Sequence, residues 1–264
     1  MKTVIGINGA AGRMGQRLVC LAQEDHELKL GAALDAPQCP HLGRDAGELC
    51  GLGPIGVPLR AELPPAERLD VVVDFSAPAG TMAVLPLCVQ RRIPLVVATT
   101  GHNAAQRAEI ESAAHETAVL LSPNMSLVVN VLFELVRTSS RLLAGKGFDV
   151  EIIERHHRFK KDAPSGTALH LARIVQEEMR LADVRHGRQG DVGERPPTEV
   201  GMHAVRVGDN VGEHTVIFGA LGETLELVHK SSSRDSYARG ALLAAKFLAG
   251  RPAGRYAMKD VLGL

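Results

Sequence analysis

The sequence lacks the features that mark a membrane protein, a disulfide-stapled domain or a highly charged binding protein. No run approaches the roughly 18 uninterrupted apolar residues of a membrane span, and the opening MKTVIGI reads as a β-strand rather than a signal peptide. Four cysteines occur without a CxxC pair, so neither a zinc site nor a disulfide framework is expected. Lys plus Arg equals Asp plus Glu at 30 each, so no overall field recruits nucleic acid or an anionic membrane. These absences predict a cytoplasmic protein without metal, nucleic-acid or membrane partners.

The first half of the chain alternates β-like apolar runs with helix-length amphipathic segments. The apolar runs are TVIGI, LKLGAAL, DVVVDFS, PLVVATT and AVLLSPN. Such alternation is typical of a parallel sheet with crossover helices. We therefore expect an α/β fold: a Rossmann-type, doubly wound parallel sheet domain over residues 1–125, completed by an alanine-rich closing helix within 235–264.

The pattern changes after Asn124. A long apolar helix is predicted from Ser126 to Ala144, followed by the strand FDVEIIERHH and a helix from Ser165 to Arg180. Strands broken by Asp-Asn and Gly-rich turns from Glu199 to Ser232 predict an antiparallel meander. Residues 126–234 should form an α+β domain with a mixed or antiparallel sheet, which binds substrate and supports oligomerisation.

A glycine-rich turn follows the first predicted strand. Gly9, Gly12 and Gly15 are spaced three residues apart, where the strand gives way to a helix. Glycines there let the backbone approach a pyrophosphate, while the helix N-terminus offers free amide donors. The spacing is GxxGxxG rather than GxGxxG, and a tight strand-to-helix turn alone would also explain it. Asp35, about 20 residues further on, stands where an acid binds the ribose hydroxyls and favours dinucleotide binding.

Two further loops end predicted strands of the same sheet. They are ATTG, from Ala98 to Gly101, and SPNM, from Ser122 to Met125. Ligands of open parallel sheets lie beyond the carboxyl ends of the strands. The loops should therefore line the nicotinamide half of the site, although each alone could be an ordinary turn.

The stretch ERHHRFKKDAPSGTA, residues 154–168, combines histidines, cations and a helix start. Strand alternation places His156 and His157 on opposite faces, which disfavours a shared metal. Lys160 and Lys161 precede a helix whose cap is Ser165, and a lysine near a helix N-terminus can bind a carboxylate or phosphate. A histidine beside that anion could deliver a proton near neutral pH. A solvated strand end and an ordinary helix cap are the structural alternatives.

These residues, together with GAAGRMG, DVVVDFSAP, ATTG, VGEHTVIF and LELVHKSSSR, closely resemble the dihydrodipicolinate reductase (4-hydroxy-tetrahydrodipicolinate reductase) family over essentially the whole chain. The resemblance implies reduction of 4-hydroxy-tetrahydrodipicolinate, a small dicarboxylate, to tetrahydrodipicolinate with NAD(P)H for diaminopimelate and lysine synthesis. It also implies a homotetramer, which the apolar alternation of the predicted meander favours independently.

The resemblance assigns a role to individual residues. His156 would be the proton donor and Lys160 the catalytic cation. The substrate would be held by His157, Ser165, Gly166 and Thr167. The dinucleotide contacts would be Gly9, Ala10, Ala11, Gly12, Arg13, Met14, Asp35, Ala98, Thr99, Thr100, Ser122, Pro123, Asn124 and Met125.

Three positions depart from the family pattern. The usual GTTG is ATTG, and an aromatic residue is replaced by Met125. Ala36 stands where relatives that use NADPH readily often carry arginine. Because Asp35 would repel a 2′-phosphate, and Arg13 is the one cation in the glycine turn that could pair with it, NADH is expected to be used better than NADPH, without exclusion of NADPH.

Two other functions fit parts of the sequence. A different dehydrogenase of amino-acid metabolism could use the same scaffold, but it would not need HHxxK beside SGT. A nucleotide-sensing regulator could keep the fold without chemistry, but it would not be expected to retain His156 and Lys160. The reductase is therefore the favoured interpretation.

Overall fold

The computed structural model describes residues 1–264, the whole chain. In chain order the elements are β1 (Thr3–Asn8), α1 (Arg13–Glu24), β2 (Leu28–Leu34), α2 (Ala46–Leu49), β3 (Leu59–Arg60), β4 (Val71–Asp74), α3 (Pro78–Gln90), β5 (Leu95–Val97), α4 (Ala104–Ala113) and β6 (Ala118–Leu121). They continue with α5 (Leu127–Leu143), β7 (Asp149–His156), α6 (Gly166–Met179), β8 (Asp183–His186), β9 (Glu199–Arg206), β10 (Gly212–Ala220), β11 (Glu223–Ser231), α7 (Asp235–Leu248), β12 (Gly254–Tyr256) and α8 (Met258–Leu262). None of these helices combines the length and the apolar character needed to cross a membrane.

The chain divides into two compact units. The first unit is Met1–Leu127 with Asp235–Leu264, and the second unit is Val128–Arg234. Each unit has a sheet and a hydrophobic core of its own.

The first unit contains a seven-stranded parallel sheet in the order β12-β6-β5-β4-β1-β2-β3. Its central strands are continuously apolar, as in VVVD of β4, because helices cover both faces of a parallel sheet. One core cluster includes side chains of α1 and α7, and the other includes side chains of α3 and α4. The doubly wound fold that the sequence predicts is confirmed.

The ends of this sheet contain elements that the sequence patterns did not predict. β3 has two residues and β12 has three, so neither is long enough to show an apolar alternation. β12 pairs with β6 beyond the predicted closing helix, which the structure places at Asp235–Leu248.

The second unit contains a five-stranded sheet in the order β11-β10-β7-β9-β8. β10 is antiparallel to β7 and β11, whereas β9 is parallel to β7 and β8, so the sheet is mixed. Apolar side chains of α5 and α6 pack on one face of the sheet, with Ile152 and Phe218 in the core between them.

The expected antiparallel meander from Glu199 to Ser232 is wrong in one respect. β9 does not pair with β10, because β7 lies between them. The connection from β9 to β10 crosses the end of β7, where the backbone N–H of His157 donates to Asn210 O at 2.8 Å and that of Val207 donates to His156 O at 3.0 Å. Backbone pairing with the end of β7 replaces the short hairpin that the Asp-Asn turn suggested.

Candidate active site

In the glycine turn after β1, the backbone lies very close to other backbone atoms. Gly9 has φ of +83°, and a Cβ there would lie 2.6 Å from Phe75 O. A Cβ on Gly15 would lie 2.1 Å from Gly9 O. Only glycine therefore allows the chain to turn this tightly from β1 into α1.

The N-terminus of α1 has no side-chain cap. Its cap residue is Gly12, and its first turn contains no acidic residue. Gly12 and Arg13 are exposed, whereas Ala10 is buried and Met14 packs partly against the core. Free amide donors and the helix dipole suit an anion, so this end of α1 fits a dinucleotide pyrophosphate.

Asp35 follows β2 and points its carboxylate to the glycine turn. Its Oδ2 accepts from the backbone N–H of Ala11 at 2.9 Å, and its Oδ1 accepts from that of Ala36 at 2.8 Å. Asp35 is half-buried, while Ala36 is exposed. The structure thus brings the predicted ribose acid and the predicted phosphate turn together.

A buried carboxylate links the loops at the carboxyl ends of β1, β4 and β5. Asp74 is fully buried, and its oxygens accept from Asn8 Nδ2 at 2.9 Å, Ser76 Oγ at 2.5 Å and Thr81 Oγ1 at 2.5 Å. The backbone N–H of Ser76 in turn donates to Thr99 Oγ1 at 2.9 Å. This bond attaches the side chain of Thr99 to the loop that follows β4.

The other residues of the ATTG and SPNM loops differ in exposure. Ala98 is buried, whereas Thr100 is exposed. Ser122 Oγ donates to Asn124 O at 2.9 Å, which closes a local turn around the exposed Pro123. Met125 is buried in the core of the first unit, so any contact that it makes with a ligand must come through its backbone.

In the second unit, strand alternation along β7 places Glu154 and His156 on one face. Glu154 Oε2 lies 2.5 Å from His156 Nδ1. Glu154 is fully buried, and about one-tenth of the His156 side chain is exposed. The Nε2 atom of His156 makes no hydrogen bond within the protein. The pair therefore leaves one imidazole nitrogen available to a ligand.

Four donors surround the carboxylate of Glu154. Besides His156, Arg206 Nη1 and Nη2 donate to Oε2 and Oε1 at 2.9 and 2.8 Å, and the backbone N–H of Ser165 donates to Oε1 at 3.0 Å. Burial alone would raise the pKa of Glu154, but the hydrogen bonds from His156 and Arg206 outweigh it and lower the pKa to about 2. The carboxylate is therefore charged at every pH near neutrality.

The N-terminus of α6 is attached to this group. Ser165 caps the helix by accepting from the backbone N–H of Ala168 at 3.2 Å, and Gly166 and Thr167 form the first turn. Ser165 Oγ also lies 3.2 Å from Nε2 of His214, which stands opposite Glu154 on β10. Burial, with a further contribution from the charge of His156, lowers the pKa of His214 to about 3, so that this histidine is neutral.

The cations of the 157–164 loop lie in different surroundings. Lys160 Nζ donates to Asp162 at 2.9 Å, and this hydrogen bond lowers the pKa of Asp162. Lys161 is exposed. His157 is half-buried beyond the end of β7. The structure brings His156 and Ser165 together through Glu154, while Lys160 is paired within its own loop.

The sequence patterns missed three residues that build this site. Glu154 could have been found, because it precedes His156 by two residues in a strand and so shares its face. His214 lies in the VGEHTVIF segment, whose strand pattern gives no sign of its neighbour. Arg206 is 52 residues from Glu154 along the chain, and no local signal connects them.

Comparison with known proteins agrees with the two-part organisation. A family model described as dihydrodipicolinate reductase, N-terminus, matches residues 3–125, and one described as dihydrodipicolinate reductase, C-terminus, matches residues 128–262. A 4-hydroxy-tetrahydrodipicolinate reductase of Dechloromonas aromatica is 45% identical, with 99% of this chain and 98% of the relative covered. One of Methanopyrus kandleri is 46% identical, with 96% and 94% covered.

Solved structures share the fold. A dipicolinate-bound dihydrodipicolinate reductase from Paenisporosarcina sp. TG-14 superposes with a TM-score of 0.78 at 24% identity, covering 98% of this chain and 99% of that one. An amine dehydrogenase from Mycobacterium smegmatis gives a TM-score of 0.65 at 12% identity, covering 97% and 95%. With both family models matched and relatives similar along their full length, this chain belongs to the dihydrodipicolinate reductase family of NAD(P)H-dependent oxidoreductases.

Proposed function

We propose that this chain reduces 4-hydroxy-tetrahydrodipicolinate to tetrahydrodipicolinate in diaminopimelate and lysine biosynthesis, with His156 as the proton donor. The observation that carries the proposal is the imidazole of His156, bound through Nδ1 to Glu154 and without a partner in the protein at Nε2. A positioned imidazole of this kind is suited to general acid catalysis near neutral pH. The names of the relatives support the same reaction.

The substrate is a dicarboxylate, and the second unit offers donors for its carboxylates. Gly166 and Thr167 lie at the N-terminus of α6, where backbone amides and the helix dipole favour an anion. Lys160 adds a positive charge, at present paired with Asp162. We assign Ser165, Gly166, Thr167 and His157 to substrate binding. Lys160 would exchange Asp162 for a substrate carboxylate.

The reaction adds a hydride and a proton to the substrate and releases its 4-hydroxyl as water. NAD(P)H, when bound, supplies the hydride. His156 delivers the proton from Nε2, and Lys160 stabilises the negative charge that develops on the substrate. In the first unit we assign dinucleotide binding to Gly9, Ala10, Ala11, Gly12, Arg13, Met14, Asp35, Ala98, Thr99, Thr100, Ser122, Pro123, Asn124 and Met125.

We propose that NADH is preferred to NADPH. Asp35 is fixed beside the glycine turn by the amides of Ala11 and Ala36, so its negative charge stays near the end of β2. A 2′-phosphate there would meet a like charge. Arg13 is exposed at the start of α1, and an exposed ion pair contributes only about 0 to 1 kcal/mol. One mobile arginine does not offset the fixed carboxylate.

We further propose a cytosolic homotetramer assembled through the second unit. β11 is an edge strand and carries exposed Leu225 and Val228, which a neighbouring subunit would cover. We therefore take residues 1–125 with 235–264 as the dinucleotide-binding domain and 126–234 as the substrate-binding and tetramerisation domain. Sedimentation of a monomer at micromolar concentration would rule out the tetramer.

The proposed function is tested by following NAD(P)H oxidation with freshly made product of dihydrodipicolinate synthase. Wild-type protein should oxidise the coenzyme only when this product is present. His156→Gln and Lys160→Ala should each lower turnover, His156→Gln by about 100-fold to 10,000-fold because a general acid is removed. NADH affinity should change little, since both residues belong to the second unit.

Lys161→Ala is the matched control, because it removes the adjacent exposed lysine and should leave turnover near that of the wild type. No oxidation by the wild type would contradict the reaction itself. Near-normal turnover of both His156→Gln and Lys160→Ala would contradict the assignment of the site. Loss of NADH affinity as large as the loss of turnover would indicate misfolding.

A further inference from the structure

Glu154 is a buried carboxylate in which every acceptor position is used. Oε1 accepts from the backbone N–H of Ser165 and from Arg206 Nη2, and Oε2 accepts from Arg206 Nη1 and His156 Nδ1. A bidentate guanidinium and two further donors hold such a group in one orientation. A buried charge without these partners would be strongly destabilising. The carboxylate is thus both charged and immobile.

This arrangement determines which nitrogen of His156 carries a fixed proton. An ionised carboxylate can only accept, so Nδ1 must be the donor across the 2.5 Å contact. Nδ1 keeps its proton whether the imidazole is neutral or charged, and Nε2 is the nitrogen that gains and loses one.

We propose that Glu154, held by Arg206, is the positioning residue for proton delivery: it keeps the proton on His156 Nδ1, orients the ring and assigns the transferred proton to Nε2. This inference rests on the proposed function of His156. In each cycle the Nε2–H proton passes to the substrate, the ring becomes neutral with its Nδ1–H retained, and a proton from water restores the charge.

Arg206 also binds the loop that carries Lys160. Its Nη2 atom donates to Asp162 O at 2.6 Å while it binds Glu154. Asp162 is also the partner of Lys160. One guanidinium therefore fixes the partner of the proposed acid and the backbone beside the proposed cation.

The groups that face His156 are few and of known charge. Glu154 is on its own strand, Arg206 reaches Glu154 from β9, and neutral His214 lies on β10 with its ring centroid 5.4 Å from that of His156. Lys160 and Asp162 stand on the following loop and are paired with each other. Glu154 is thus the one carboxylate bound directly to the ring.

Glu151 provides a matched control on the same strand. It lies on the opposite face of β7 and is also bound by two arginines and a histidine, Arg188, Arg195 and His203. Burial raises the pKa of Glu151, but these partners outweigh it and lower the pKa to about 2, as in Glu154. Glu151→Gln therefore removes a comparably paired carboxylate without touching His156.

The test compares Glu154→Gln, Glu154→Asp and Glu151→Gln in the coenzyme oxidation assay, with kcat and KM measured across pH. Glu154→Gln should lower kcat by about 10-fold to 1,000-fold with KM for substrate changed by no more than about 3-fold. The alkaline limb of its kcat profile should move to lower pH, because the neutral amide removes the negative charge that lies beside His156 Nδ1. Glu151→Gln should keep the profile and kcat of the wild type.

Glu154→Asp retains the charge on a shorter side chain, so its kcat should be intermediate while its alkaline limb stays near that of the wild type. If Glu154→Gln does not fold, the kcat and the pH profile of Glu154→Asp test the proposal instead. A Glu154→Gln enzyme with the wild-type profile would overturn the proposal, as would a Glu154→Asp enzyme whose limb moves while kcat is unchanged. Because the wild type is active in the same assay, these outcomes are distinct from failure of the proposed function.

Discussion

Asp74 in the first unit and Glu154 in the second are both fully buried carboxyl groups, yet they bind different kinds of donors. The donors to Asp74 are neutral: the amide of Asn8 and the hydroxyls of Ser76 and Thr81. The donors to Glu154 include a guanidinium and an imidazole. The first group ties together loops at the carboxyl ends of parallel strands, and the second holds a titratable side chain.

The difference fits the function that we propose for each unit. A dinucleotide site made largely of backbone needs its loops held in place, and hydroxyl or amide donors do this without introducing another titrating group. A proton-transfer site needs one titratable group whose proton position is determined, and a charged partner supplies that. We therefore expect changes at Asp74 to affect stability and changes in the Glu154 group to affect pH dependence.

The largest effect is expected from Asp74→Ala. This change leaves the buried donors of Asn8, Ser76 and Thr81 without an acceptor, so the free energy of unfolding of the first unit should fall by about 2 to 4 kcal/mol. Urea denaturation monitored by circular dichroism measures it. The KM for NADH should rise, while the pH profile of kcat keeps its shape.

Asp70→Ala is the control for Asp74→Ala. Asp70 precedes the same strand and accepts one bond, from the backbone N–H of Val4 at 2.7 Å. Its loss should lower the free energy of unfolding by roughly 1 kcal/mol. Equal losses in the two variants would mean that the network around Asp74 has no special role in fixing the loops.

An effect of intermediate size is expected when the free energy of unfolding of the second unit is measured as a function of pH. The pKa of His214 falls from 6.5 in the unfolded chain to about 3 in the fold, mainly through burial. Below about pH 6.5 the unfolded chain therefore binds a proton that the folded chain does not. The free energy of unfolding should decrease as pH falls, by up to about 1.4 kcal/mol per pH unit for this one group, until the pH reaches about 3.

His214→Gln should reduce this slope between about pH 6 and pH 5, where the carboxyl groups contribute little. Burial also lowers the pKa of His229 and His170, so part of the slope remains. His115→Gln, at an exposed position of the first unit, is the control. If His214→Gln leaves the pH dependence of urea unfolding unchanged, the histidine is not neutral in the fold.

The smallest effect is expected at Ala36 and would show that the first unit controls coenzyme choice without controlling proton transfer. Ala36→Arg places a cation beside Asp35 and should raise the ratio of kcat/KM for NADPH to that for NADH by about 3-fold to 10-fold. Ala36→Gln supplies a similar length without charge and should leave the ratio nearly unchanged. A wild-type enzyme that prefers NADPH would contradict the proposed role of Asp35.

Much of the first unit is predictable because its signals are local. The apolar run of each main strand and the three glycines after β1 lie within single short segments, and parallel pairing follows from their alternation with helices. Asp35 directly follows the second strand, so its position beside the glycine turn follows from the same pattern. The two-residue β3 and three-residue β12 were missed because pairing partners, rather than their own residues, stabilise them.

In the second unit the sequence predicts the strands but not their neighbours. The alternation of β7 gives the face that Glu154 and His156 share. The same alternation is compatible with pairing of β7 to β9, to β10 or to both, so it does not predict the neighbours of β7. The sheet order depends on contacts between segments more than 40 residues apart, such as Ile153 with His203 and Thr215. The meander was predicted incorrectly because a turn sequence indicates that the chain reverses direction locally. It does not indicate whether the strands on its two sides pair with each other.

By itself the sequence determined the class of the fold, the glycine turn with its acid, and the segment that contains His156, Lys160 and the cap of α6. Each of these depends on residues within about one element of each other, where side-chain periodicity and backbone geometry act directly. Only the tertiary structure decided that Arg206 from β9 and His214 from β10 meet Glu154. The donors that make burial of that carboxylate possible come from two strands and a helix start, which are far apart in the sequence.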